Sequence, residues 1–123
     1  MAIVLLVDDD PGGLEIRKML LERDGHRVST AADAATARAK FWENAPECVI
    51  LDLRLPSPED GLALVREFRE CSAAAPGLRI VVLAGWSADL EGRPEQALVD
   101  EVLAKPVRSE RLMHAVSAVK KSA

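Results

Sequence analysis

Three stretches of this chain are near-continuous apolar runs: AIVLLV at 2–7, CVILDL at 48–53 and RIVVLA at 79–84. They constrain the fold more than any other feature. A strand wetted on one face alternates apolar and polar residues, whereas one covered on both faces does not, and strands of the second kind belong to parallel sheets. Two further segments, HRVST near 26–30 and the short EVLA at 101–104, also have strand composition.

Segments of helical length and period lie between the runs. The first spans Pro11 to about Asp24, with Pro11 suited to a first turn, Ile16, Met19, Leu20 and Arg23 on one stripe, and Gly25 as its stop. The second starts at Asp33, a good N-cap, carries Ala34, Ala37, Arg38 and Phe41, and ends before Pro46. The third follows Pro58, places Leu62, Val65, Phe68 and Arg69 at helical spacing, and breaks at Pro76 and Gly77. A fourth is expected between about Asp89 and Val99, although Gly92 and Pro94 interrupt it. The fifth begins near Ser109 and sets Leu112, Ala115, Val116 and Val119 on one face, with Lys120 and Lys121 in its last turn. Five strands and five helices in strict alternation imply right-handed crossovers. The expected fold is α/β, a doubly wound five-stranded parallel sheet of order 2-1-3-4-5 with helices on both faces.

Composition narrows the function. A chain of 123 residues is one domain, and 16 Lys+Arg against 20 Asp+Glu, a net charge of −4, make nucleic acid an unlikely direct partner. Two Phe, two Trp and no Tyr leave an aliphatic core and no platform for base stacking. The first apolar run is too short for a signal peptide or a membrane span and is followed at once by three aspartates, so a cytoplasmic location and no membrane association are expected. Cys48 and Cys71 stand apart without a CxxC pair, and His26 and His114 are isolated. Neither a disulfide nor a zinc site is expected.

The chemistry of such a sheet sits at the carboxyl ends of its central strands. Strand one ends in Asp8, Asp9 and Asp10, strand three in Asp52, strand four in Ala84-Gly85 and strand five in Lys105-Pro106. An aspartate at any one of these places, taken singly, caps a helix or opens a loop. Together they crowd carboxylates beside one ammonium, and such crowding raises carboxyl pKa values or requires a cation. Oxygen ligands of this kind suit Mg²⁺. Gly12-Gly13 belongs to neither GxGxxG nor GxxxxGK[ST], and three aspartates precede it where a phosphate would need free N–H groups, so a nucleotide site is not expected.

The motifs LLVDDDP, VILDLRLP and LAKPV, in that order and separated by 43 residues from Asp9 to Asp52 and 53 from Asp52 to Lys105, resemble the receiver domain of bacterial response regulators, a CheY-like, flavodoxin-like fold, over essentially the whole chain. The resemblance implies that Asp52 accepts a phosphoryl group from a histidine kinase or phosphotransfer protein. It implies that Asp9 binds Mg²⁺ directly and Asp8 through water, with Asp52 and the backbone carbonyl of Arg54 completing the protein ligands. Lys105 would pair with the phosphoryl oxygens, and its bond to Pro106 would be cis. The chemistry is self-consistent: a carboxylate needs no base at pH 7, and the cations neutralise charge on the transferred group.

The sequence departs from that pattern at several places. Where receivers carry Thr or Ser at the end of strand four, this chain has Ala84, and where they carry an aromatic residue three positions before the lysine, it has Val102. Both halves of the usual switch are thereby missing, and only Ser87 offers a hydroxyl nearby. Gly61 lies nine residues after Asp52, one more than the pattern leads one to expect. Arg54 and Trp86 fall at positions flanking the phosphoryl site, where bulk would slow its hydrolysis.

The expectation is a single receiver domain over 1–123 with no output domain, a monomer or weak homodimer, catalysing only its own phosphorylation and dephosphorylation. It would signal through a downstream protein or a missing output domain. The alternative is a degenerate receiver acting as a non-switching binding module. A metal-dependent aspartyl phosphatase of similar architecture would need a DxD set two residues from a strand end and a cap domain, and the chain is expected to have room for neither a cap nor a substrate pocket.

Overall fold

In the computed structural model, residues 2–55, 57–71, 77–85 and 89–117 are described. Their elements run β1 (Ile3–Val7), α1 (Pro11–Arg23), β2 (Arg27–Ala31), α2 (Ala34–Asn44), β3 (Cys48–Asp52), α3 (Pro58–Glu70), β4 (Arg79–Ala84), a 3₁₀ helix (Pro94–Leu98), β5 (Glu101–Ala104) and α4 (Ser109–Ser117). Every strand pairing is parallel and the sheet order is β2-β1-β3-β4-β5, as the alternation predicts.

Side chains of a strand alternate between faces, and the core divides accordingly. Leu5, Val7, Val49, Leu51, Ile80 and Val82 point to one face and pack against Ala37 and Phe41 of α2 and Leu62, Val65 and Phe68 of α3. Val4, Leu6, Cys48, Ile50, Val81 and Leu83 point to the other and pack against Leu14 and Leu21 of α1 and Leu112, Ala115 and Val116 of α4. The two phenylalanines, half of the chain's aromatic residues, stack on each other with centroids 4.2 Å apart and tie α2 to α3.

The helix starts follow the expected chemistry. Asp10 caps α1 by accepting from the Gly12 N–H, Asp33 caps α2 by accepting from the Thr36 N–H, and Ser57 caps α3 ahead of Pro58. Gly61 in the first turn of α3 is demanded by a close approach: a Cβ there would lie 1.9 Å from the carbonyl oxygen of Leu53, just beyond the end of β3. Both cysteines are free; Cys48 is wholly buried, and burial pushes its thiol pKa up to about 12.

Two expectations need correction. The buried stripe of α1 is not Ile16, Met19, Leu20 and Arg23: Ile16 is 61% and Met19 55% exposed, and the helix buries Leu14 and Leu21 instead. Apolar residues stand on more than one side of this helix, so period alone does not choose the face. The fourth helix is also not an α-helix but the five-residue 3₁₀ segment Pro94–Leu98. Gly92 is left-handed, with φ +74°, and Pro94 opens the short helix, so no regular helix runs through the pair. The described residues therefore hold four α-helices. The expected positions of Val119, Lys120 and Lys121 in the last helix lie outside the described residues.

Candidate functional site: an acidic pocket at the strand ends

Strand alternation carries over to the polar residues that follow. Asp8 continues the Val4 and Leu6 series, Asp52 the Cys48 and Ile50 series, and Lys105 lies two beyond Leu103, so all three belong to the α1 and α4 face of the sheet. Adjacent pairing of β1 with β3 and of β3 with β4 brings their carboxyl ends together. Asp8 and Asp52 are the two buried aspartates, 3% and 5% exposed, and Asp9 is exposed at the rim. One carboxylate oxygen from each of Asp8, Asp9 and Asp52 lies within 4.8 Å of the other two, close enough to hold one metal ion.

Every oxygen of the two buried carboxylates has a partner. The Lys105 ammonium donates to Asp52 Oδ2 at 2.5 Å, and the Arg54 N–H donates to Asp52 Oδ1 at 3.2 Å. The Asp10 N–H donates to Asp8 Oδ1 at 3.0 Å, and Arg17 Nη1 donates to Asp8 Oδ2 at 2.7 Å. Burial pushes the Asp52 pKa up and outweighs the Lys105 ammonium, with the negative charge of Asp8 adding to the rise. At Asp8 burial works the same way, but the Asp10 N–H, Arg17 and Lys105 together outweigh it and hold that carboxyl below its usual range. Two aspartates a few ångströms apart are thus pushed in opposite directions, and the one raised is the one closing β3.

Around this centre the Lys105–Pro106 bond is cis, as expected. The Arg54 guanidinium turns away from Asp52 and forms a two-pronged ion pair with Asp89, at 2.8 and 3.2 Å, joining the β3–α3 loop to the segment after β4. Ala84 closes β4, is 4% exposed, and its carbonyl accepts from the Lys105 N–H. Val102 stands on the edge strand, 40% exposed. Trp86 and Ser87 lie outside the described residues. Sequence reasoning did not single out Arg17, which enters the pocket from the second turn of α1. Its signal was available in the pattern, because helical side chains lean toward the N-terminus and the residue one turn earlier is Gly13.

A doubly wound parallel sheet that gathers three aspartates and a lysine at its strand ends is the architecture the receiver resemblance implies, and comparison with known proteins makes the assignment specific. Residues 4–117 match the family model of the response regulator receiver domain, so the chain belongs to that family. It is 34% identical over 119 residues to the virulence transcriptional regulatory protein PhoP of Salmonella typhimurium, a match covering 97% of this chain and 52% of the relative. It is likewise 34% identical over 110 residues to the transcriptional regulatory protein TrcR of Mycobacterium tuberculosis, covering 89% of this chain and 42% of that protein. The chain thus spans about half the length of these curated relatives or less. Among solved structures, a CheY-like receiver domain from Methylobacillus flagellatus superposes with a TM-score of 0.86 at 26% identity, covering 98% of this chain and 99% of that one. The response regulator TrrA of Thermotoga maritima, solved in complex with Mg²⁺ and BeF, gives a TM-score of 0.82 at 26% identity, covering 98% and 100%. No helix among the described residues is long and apolar enough to cross a membrane.

Proposed function

We propose that this receiver accepts a phosphoryl group on Asp52 from a histidine kinase or phosphotransfer protein in a bacterial cytoplasm, and passes its phosphorylation state to a protein partner or an output domain. The observation that carries the proposal is the placing of Asp52: it closes β3, is buried, touches Lys105 at 2.5 Å, and shares a cluster within 4.8 Å with Asp8 and Asp9. Burial raises the pKa of Asp52 and the negative charge of Asp8 adds to the rise, and a hard cation beside the two carboxylates would offset both. Asp8, Asp9, Asp52 and the Arg54 carbonyl would hold Mg²⁺, which when bound neutralises charge on the phosphoryl oxygens.

The chain's own residues account for the rest. An Asp52 carboxylate oxygen attacks phosphorus, the bond from phosphorus to the donor's imidazole nitrogen breaks, and that nitrogen keeps the electron pair. Lys105 holds the carboxylate before transfer; afterwards Asp52 is an acyl phosphate whose remaining carbonyl oxygen is neutral, so the Lys105 ammonium turns its donors to the anionic phosphoryl oxygens. The Arg54 N–H fixes the other carboxylate oxygen, orienting the nucleophile. The reaction changes only the protein itself, so the chain acts as a signalling module and catalyses no external turnover beyond consuming its phosphodonor.

Incubating the chain with Mg²⁺ and acetyl phosphate, followed by intact mass measurement, tests the proposal. One phosphoryl group is expected on the wild type, none on Asp52→Asn and none in the presence of a chelator. An unmodified wild type would overturn it.

A further inference from the structure

Arg17 is the one cation of the pocket that the proposed chemistry leaves unused. Its Nη1 reaches back along α1 to Asp8 Oδ2 at 2.7 Å, and the Asp8 side chain is almost wholly buried. The path it takes is kept open by glycine. A Cβ on Gly13 would lie 3.2 Å from Arg17 Nη1 and 3.1 Å from Asp10 Oδ2, so a side chain there would crowd the guanidinium. Glycine in a helix is unfavourable by about 1 kcal/mol relative to alanine. The Gly12-Gly13 pair belongs to no nucleotide-binding motif, and at Gly13 room for Arg17 gives the glycine a purpose.

The consequence is competition. Asp8 has one oxygen on the Asp10 N–H and the other on Arg17, while Asp52 is held by Lys105; Asp9 alone of the three makes no ion pair among the described residues. A divalent ion placed among these carboxylates meets a fixed positive charge on one of them, in a setting where charges are poorly screened. We propose that Arg17 is a tethered counter-ion that occupies Asp8 in the metal-free protein and thereby weakens divalent metal binding, so that Arg17 and Gly13 together set the Mg²⁺ concentration at which this receiver becomes competent. The inference rests on the reading that Mg²⁺ enters at Asp8, Asp9 and Asp52.

Calorimetric titration of the full chain with MgCl₂ tests it in wild type, Arg17→Met and Gly13→Leu, the last displacing the guanidinium without removing its charge. Arg17→Met should bind Mg²⁺ about tenfold more tightly, and Gly13→Leu should move in the same direction. Melting curves supply a second readout: without metal both variants melt lower than wild type because Asp8 loses its partner, and saturating Mg²⁺ raises their melting temperature more. Equal or weaker Mg²⁺ binding by a folded Arg17→Met leaves the metal site standing and overturns the role given to Arg17. Should Arg17→Met fail to fold, Gly13→Leu decides by the same criterion. No Mg²⁺ binding by the wild type or either variant overturns the metal reading itself, and this inference with it.

Discussion

Replacing Gly61 by alanine sets two physical effects against each other at the edge of the pocket. Helix propensity alone predicts a gain of up to about 1 kcal/mol, because Gly61 lies inside α3. The structure predicts the opposite sign. The added Cβ would sit 1.9 Å from the Leu53 oxygen, 2.7 Å from its carbonyl carbon and 2.9 Å from its Cα. An unstrained carbon–oxygen contact needs about 3.3 Å, so α3 and the end of β3 must separate by about 1.4 Å. These are backbone atoms and cannot swing aside. Overpacking of this kind costs about 1–3 kcal/mol, and a 1.9 Å contact with backbone belongs at the upper end, which leaves a net loss of about 2 kcal/mol after a propensity gain of about 1 kcal/mol. For a domain of this size that lowers the melting temperature by about 6–10 °C. Circular dichroism melts check the value, with Gly12→Ala as control, since a Cβ there meets only Asp10 Oδ1 at an ordinary 3.6 Å. Because Leu53 lies between Asp52 and Arg54, Mg²⁺ affinity should fall with the stability. A Gly61→Ala protein that melts at or above wild type would refute the reasoning.

Three other outcomes follow from the same geometry. Asp52 has a raised folded pKa, so its contribution to stability is fully present below the unfolded carboxyl value of about 3.9 and is lost as pH rises through the folded value. Metal-free Asp52→Asn should therefore melt a few degrees higher than wild type at pH 7 and lose that advantage below about pH 4; Asp8, whose pKa is lowered, contributes with the opposite sign, its stability lost as pH falls through its folded value. Ala84→Ser restores a hydroxyl at the end of β4, and one hydrogen bond to a charged acceptor is worth about 1.5–3 kcal/mol, so phosphorylation by acetyl phosphate should speed up about tenfold or more by stopped-flow or quenched mass measurement. Arg54→Ala frees Asp89 and opens the flank of Asp52, so the phosphorylated protein should lose its phosphoryl group faster, measured by mass over time after the donor is removed.

The fold was legible where apolar character was unambiguous. The runs at 2–7, 48–53 and 79–84 are buried on both faces and became the three central strands within a residue of their expected bounds. The carboxyl ends of β1 and β3, joined by that of the edge strand β5, then brought Asp8, Asp9, Asp52 and Lys105 together, because a parallel doubly wound sheet places all such ends on one side. What the sequence left ambiguous was what depends on tertiary choice. The face of α1 was one such case: Ile16 and Met19 are as apolar as Leu14 and Leu21, and only packing into the core on that side of the sheet selects the second pair. The segment from 89 to 99 was another, where left-handed Gly92 and Pro94 stop a helix that period suggested. Arg17 was legible only through Gly13 one turn earlier, because its partner lies nine positions away in sequence, on a strand end rather than on its own helix.

The proposed function turns on Asp52, buried at the end of β3, held by Lys105 and clustered with Asp8 and Asp9. A crystal structure of the chain grown with Mg²⁺ and beryllofluoride is the most direct measurement. The account predicts beryllium on a carboxylate oxygen of Asp52, the metal held by Asp9, Asp52 and the Arg54 carbonyl with Asp8 behind a water, and Lys105 turned from the carboxylate to the fluorides. A fully occupied crystal with beryllofluoride bound elsewhere, or with Asp52 still bound to Lys105 and unmodified, would contradict it.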